Sequence, residues 1–116
     1  VWSVQTAYIV NELMKSVVNH SAGTATYTRI SGMDLAAKTG TTNGDKERWM
    51  CGFTNYYSCA VIYAFDEPQT VKKSSKQSSG LIFANIMKEI HNGLEKSTFK
   101  QPDGIVSARV CRTSGM

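Results

Sequence analysis

The sequence predicts an α+β fold: an antiparallel sheet of at least three strands, flanked by an N-terminal and a C-terminal helix. Three observations carry this. Apolar residues recur at helical spacing near both ends of the chain, at Val10, Leu13, Met14, Val17 and Val18, and again at Phe83, Ile86, Met87, Ile90 and Leu94. Between these stretches lie three strand-forming runs whose connections are too short for parallel crossovers. Two helices can then cover a sheet face, which is the α+β layer arrangement.

The elements follow in order. Ser3 suits the N-cap of the first helix, and the helix should stop at His20-Ser21-Ala22-Gly23, with Gly23 in the left-handed C-terminal position. Residues 24–30, rich in Thr and carrying Tyr27, favour an extended chain, which Ser31-Gly32 breaks. Residues 35–41, 49–54 and 57–65 are the three strands, separated by the Asn43-Gly44-Asp45 turn and the Asn55-Tyr56 reversal. The third, Cys59-Ala60-Val61-Ile62-Tyr63-Ala64-Phe65, has little polar alternation and reads as covered on both faces. Asp66-Glu67-Pro68 ends the sheet, and residues 69–80 form a polar exposed loop. The second helix is expected over residues 79–94, with Gly93 loosening its end. The tail from residue 96 has weak periodicity and one apolar patch at Ile105-Val106. No repeat or domain boundary interrupts residues 1–116, which read as a single segment. Three strands make a small sheet, and the chain opens Val1-Trp2 and not with Met. Both features are expected of a piece whose sheet is completed from a longer chain.

Composition bounds the function. With 41% apolar and 19% charged residues, the chain is an ordinary globular sequence able to bury a core. No apolar run approaches the roughly 18 residues of a membrane span, and no leader pattern is present, so any anchor is expected upstream. The net charge of +4 is concentrated partly at Lys72, Lys73 and Lys76. That patch suits a solvated loop or contact with an anionic wall polymer. No nucleic-acid motif or aromatic platform accompanies it, so no nucleic acid is expected. Cys51, Cys59 and Cys111 are too few and scattered for a disulfide scaffold, and His20 and His91 lie far from each of them. No metal and no cofactor is expected. Cys51 and Cys59 sit in apolar runs and read as small core residues.

The chemistry concentrates in Lys38-Thr39-Gly40-Thr41-Thr42. A Lys ammonium with Thr hydroxyls can hold a carboxylate or phosphate. Gly40 permits close approach of a ligand or backbone. A strand at a cleft edge can pair with an extended peptide, and a backbone N–H after the glycine can stabilise an oxyanion. Composition alone leaves open a plain polar strand end. Residues 32–39 approach a phosphate-binding loop, but Ala37 stands where that motif has glycine, and Gly40-Thr41-Thr42-Asn43-Gly44 opposes the helix that must follow.

Ala36-Ala37-Lys38-Thr39-Gly40-Thr41-Thr42-Asn43, followed by Trp49-Met50-Cys51-Gly52-Phe53-Thr54, resembles the third active-site motif and next strand of class A penicillin-binding proteins. Ser3-Val4-Gln5-Thr6-Ala7-Tyr8 and Pro102-Asp103-Gly104-Ile105-Val106 resemble flanking segments of the same family, so the likeness covers most of the chain. The resemblance implies the C-terminal portion of a β-lactamase/transpeptidase-like fold. It also implies a serine-type D,D-transpeptidase that cross-links peptidoglycan stem peptides by acyl transfer and binds β-lactams at the extracytoplasmic face of the bacterial cytoplasmic membrane. Lys38 and Thr41 would be catalytic, with Lys38 within the hydrogen-bond network and the Thr41 N–H as oxyanion donor. Lys38, Thr39, Gly40 and Thr41 would bind substrate, the Thr39 and Thr41 hydroxyls holding its carboxylate. The family's Ser-x-x-Lys must precede Lys-Thr-Gly. The one match here, Ser97-Thr98-Phe99-Lys100, follows it, and no Ser-x-Asn occurs. The chain alone is therefore expected to be inactive and to need the remainder of the domain as partner. A β-lactamase, a β-lactam sensor and a non-catalytic wall-binding module are the alternatives.

Overall fold

In the computed structural model, which describes residues 1–72, 78–111 and 113–115, helix α1 spans Val4–Asn19. The Ser3 side chain accepts from the Thr6 N–H at 3.2 Å, the cap expected of it. The helix ends differently from expectation. His20 leaves in an extended conformation, and Gly23 does not take the left-handed position. Gly23 instead lies against the last helical turn, where a Cβ would collide with the Val17 carbonyl oxygen. The following Ala25 N–H donates to that same oxygen at 3.1 Å. The glycine serves close backbone approach there.

Residues 24–30 are not extended throughout: Thr26–Thr28 form a 3-10 turn. The buried Thr28 hydroxyl donates to the Ala25 carbonyl at 2.7 Å, the local bonding by which threonine competes with strand formation.

The sheet comprises β1 (Ala36–Thr41), β2 (Glu47–Phe53) and β3 (Ser58–Ala64), antiparallel and in that spatial order. The first turn contains Gly44 and Asp45 at φ 73° and 55°. Helix α2 (Ser79–Ile90) packs on β2 and β3, and α1 lies against β1. Ala37 and Met50 are buried with Leu35, Val18, Phe83 and Met87, and Val61 packs against them. A Cβ on Gly52 would lie 2.9 Å from Phe83 Cζ, so the ring occupies the glycine's vacant space. Burying such a side chain stabilises by about 1.5–3 kcal/mol.

Strand parity overturns two expectations. β3 is not covered on both faces: exposure alternates along it, and Ile62 is 47% exposed. Cys51 shares the open face with Trp49 and is exposed, while Cys59 on the covered face is half-buried. An apolar run does not itself reveal which residues turn outward.

Helix α2 stops at Ile90, before the expected residue 94, and Gly93 takes the left-handed conformation (φ 81°) beyond it. Its buried stripe is Gly80, Phe83, Ala84 and Met87 with His91 after it; Ile86 and Ile90 are exposed. Small residues set this rotation, since the Tyr27 hydroxyl sits where a Gly80 Cβ would be. On α1, Leu13 likewise faces outward.

Buried His91 ties α2 to the β2–β3 hairpin. Its Nδ1 donates to the Met87 carbonyl at 2.6 Å, so Nε2 accepts from the Thr54 hydroxyl at 2.7 Å. The Thr54 oxygen also accepts from the Tyr56 and Tyr57 N–H groups.

The tail is held by Asp34. Its carboxylate accepts from the Phe99 N–H at 2.9 Å and pairs with Lys15 at 2.8 Å. Burial pushes the Lys15 ammonium down, but Asp34 and Glu12 more than offset this and leave it raised. Val106 is exposed. Lys72 is exposed too, while Lys73 and Lys76 lie outside the described residues. Among the described residues no helix is long and apolar enough to cross a membrane.

Candidate functional site

β1 is an edge strand, and its backbone parity can be read from one bond. The Thr42 N–H donates to the Glu47 carbonyl at 3.2 Å. In an antiparallel ladder, alternate residues turn toward the partner strand. Lys38 and Gly40 therefore direct their backbone groups at β2, and Thr39 and Thr41 direct theirs at the open edge. The Thr39 carbonyl accepts from the Lys38 Nζ at 2.9 Å, which agrees with an oxygen free of the ladder.

The exposed Lys38 side chain reaches around the strand, with Nζ 3.5 Å from the Thr39 hydroxyl as well. That hydroxyl lies 3.3 Å from the Thr24 hydroxyl, on the segment leaving α1. A hollow of about 270 Å³ flanks the edge, lined by Val17, His20, Thr24 and Lys38 among others. Thr41 is exposed and stands opposite Arg48. The Arg48 guanidinium is 3.3 Å from an Asp45 carboxylate oxygen, and its buried Nε has no hydrogen-bond partner among the described residues. A cation, two hydroxyls and a backbone N–H turned away from β2 thus lie along one strand edge, a donor set suited to a carboxylate at the end of an extended peptide.

The other members of the stretch act locally. Gly40 faces Trp49, and a Cβ there would lie 3.1 Å from Trp49 Cβ, so the glycine relieves a cross-strand contact. The Thr42 hydroxyl accepts from the Glu47 N–H at 2.9 Å and belongs to the turn. Ser97 and Lys100 lie in irregular chain, with Ser97 accepting from the Asn55 side chain at 2.7 Å and its backbone bonded to Gly32 and Asp34. Sequence reasoning missed Thr24. The signal available was the run of small residues Ser21-Ala22-Gly23-Thr24-Ala25, which marks a close approach of backbones.

The penicillin binding protein transpeptidase domain model matches residues 1–88. Penicillin-binding protein 1A of Clostridium perfringens is 36% identical over 116 residues, which is 100% of this chain and 14% of the relative. Penicillin-binding protein 1A of Clostridium acetobutylicum is 37% identical over 103 residues, 89% of this chain and 12% of the relative. Penicillin-binding protein 1A/1B of Bacillus subtilis is 28% identical over 123 residues, 90% of this chain and 13% of the relative. The chain thus spans about one seventh of the length of the first of these relatives. With the family model matching most of it, the chain belongs to the penicillin-binding protein transpeptidase domain family.

Proposed function

We propose that residues 1–116 form one segment, the C-terminal part of the domain of a peptidoglycan D,D-transpeptidase, and that this segment supplies the substrate-holding edge of its active site. The observation that carries this is the convergence of Lys38, Thr39 and the outward Thr41 backbone on the open edge of β1. A stem peptide or β-lactam lies along that edge. The Thr39 and Thr41 hydroxyls hold its carboxylate, the Thr41 N–H donates to the developing oxyanion, and the Lys38 cation biases the site for the acyl transfer. Gly40 keeps the strand free of a side chain beside the ligand.

The nucleophilic serine comes from outside these residues. Two features support a partner that is the remainder of the same domain: among the described residues no strand pairs with the second edge of the sheet, β3, and the open face exposes Trp49 and Ile62. The assembled enzyme works at the extracytoplasmic face of the bacterial membrane, where its substrate lies.

Fluorescent penicillin tests this. The isolated chain should stay unlabelled, while the assembled domain should be acylated on a serine outside residues 1–116. Lys38→Ala should lower the acylation rate by about 10²–10³. Labelling of Ser97, or an unchanged rate in Lys38→Ala, would refute the assignment.

A further inference from the structure

We infer that Thr24 is a positioning residue for Thr39: it donates its hydroxyl hydrogen to Thr39 Oγ1, which leaves the Thr39 hydrogen for the ligand carboxylate. This rests on the carboxylate-holding role given to Thr39 above.

A threonine hydroxyl has one hydrogen to give and two lone pairs to receive. At Thr39 Oγ1, Lys38 Nζ approaches at 3.5 Å and has only hydrogens to offer. Thr24 Oγ1 approaches at 3.3 Å and can act either way. If Thr39 donated to Thr24, its single hydrogen would be spent, and a carboxylate would meet only lone pairs. With Thr24 donating, both Thr39 lone pairs face donors and its hydrogen has no acceptor among the described residues. A bound anion selects the second arrangement.

Thr24 is also held in place. The Gly23 N–H donates to the His20 carbonyl at 2.9 Å, and the Ala25 N–H to the Val17 carbonyl at 3.1 Å. These bonds anchor the backbone on both sides of Thr24 to the end of α1, so the helix end sets the orientation of a hydroxyl on the strand edge.

The experiment compares acylation of the assembled enzyme by a penicillin and by its methyl ester, which lacks the anionic oxygen. Thr24→Val should reduce the preference for the free acid by about 2- to 10-fold, the loss of one hydrogen bond. Thr24→Ser should restore it, and Thr39→Val should reduce it at least as far as Thr24→Val does. A general packing defect at position 24 would slow acid and ester alike. Equal slowing, or no change in Thr24→Val while Thr39→Val lowers the acid preference, overturns the inference and leaves the site reading intact. An unchanged acid preference in Thr39→Val overturns both.

Discussion

Replacing Thr41 by proline separates two roles given to one residue. The Thr41 N–H faces the open edge, so removing it breaks no ladder bond, and proline is tolerated on an edge strand in that orientation. Thr41→Val removes the hydroxyl but keeps the N–H. The difference between these variants therefore reports the backbone donor. Loss of a hydroxyl contact is worth about 0.5–1.5 kcal/mol, or about 2- to 10-fold, and should fall on binding. Loss of one oxyanion donor is worth about 2.7–4 kcal/mol, or about 10²–10³ in rate, and should fall on acylation. Stopped-flow acylation of the assembled enzyme by a chromogenic β-lactam measures both. Thr42→Pro is the control with the opposite pattern. It loses the 3.2 Å ladder bond to Glu47 and the 2.9 Å hydroxyl bond to the Glu47 N–H. It should cost about 1–3 kcal/mol of stability, seen as a lower melting temperature, while acylation of the folded enzyme persists. The reasoning fails if Thr41→Pro acylates within about threefold of Thr41→Val. It fails equally if Thr41→Pro melts below Thr42→Pro, since the Thr41 N–H would then belong to the ladder.

Thr54→Val should destabilise the domain by about 2–4 kcal/mol. It removes two hydrogen bonds from backbone N–H groups and leaves the buried His91 Nε2 without a donor; a denaturation midpoint equal to the parent's would contradict that network. The Cys111 thiol is held down to about 7 by hydrogen bonds from Ser114 and then Thr113, so its reactive thiolate is half-formed near that pH. Burial, reinforced by Cys51, pushes the Cys59 thiol up. Iodoacetamide mass mapping across pH should therefore show Cys111 modified before Cys59, and Ser114→Ala should move the Cys111 profile upward. Cys59 reacting first would refute the assignment.

Much of the fold was legible because its signals are local. The Ser3 cap, the Asn43-Gly44-Asp45 turn and the tight hairpin at residues 54–57 depend on a few consecutive residues, and they stand as expected. The departures share another origin: each depends on a contact distant in sequence or on close backbone approach. Ile86 and Ile90 fit the apolar stripe of α2, yet Gly80 and Ala84 bring the helix in by another face, because Tyr27 needs the space. Cys51 sits in an apolar run, yet its parity with Trp49 turns it outward. In the sequence His91 is noted only as lying far from the cysteines, and only the fold places Thr54 against it.

The site itself posed a sequence-level difficulty that strand geometry removes. Lys38 and Thr39 are neighbours, so their side chains leave a flat strand on opposite faces. A pocket lying over one face could not use both. An edge can, because backbone groups alternate there as side chains do on the faces. Thr39 and Thr41 share the parity that points N–H and C=O outward, and Lys38, with a long flexible stem, curls over the rim until its Nζ meets the outward Thr39 carbonyl. The spacing of one cation, one hydroxyl, a gap and a second hydroxyl with an N–H turned away from β2 is awkward for a face and natural for an edge. Gly40 fills the gap with the parity that binds β2, so it contributes nothing to the edge except the absence of a side chain. Moving the stretch by one residue along β1 would bury the donor N–H in the ladder. The order of residues within the motif therefore depends on the strand having no neighbour on that side.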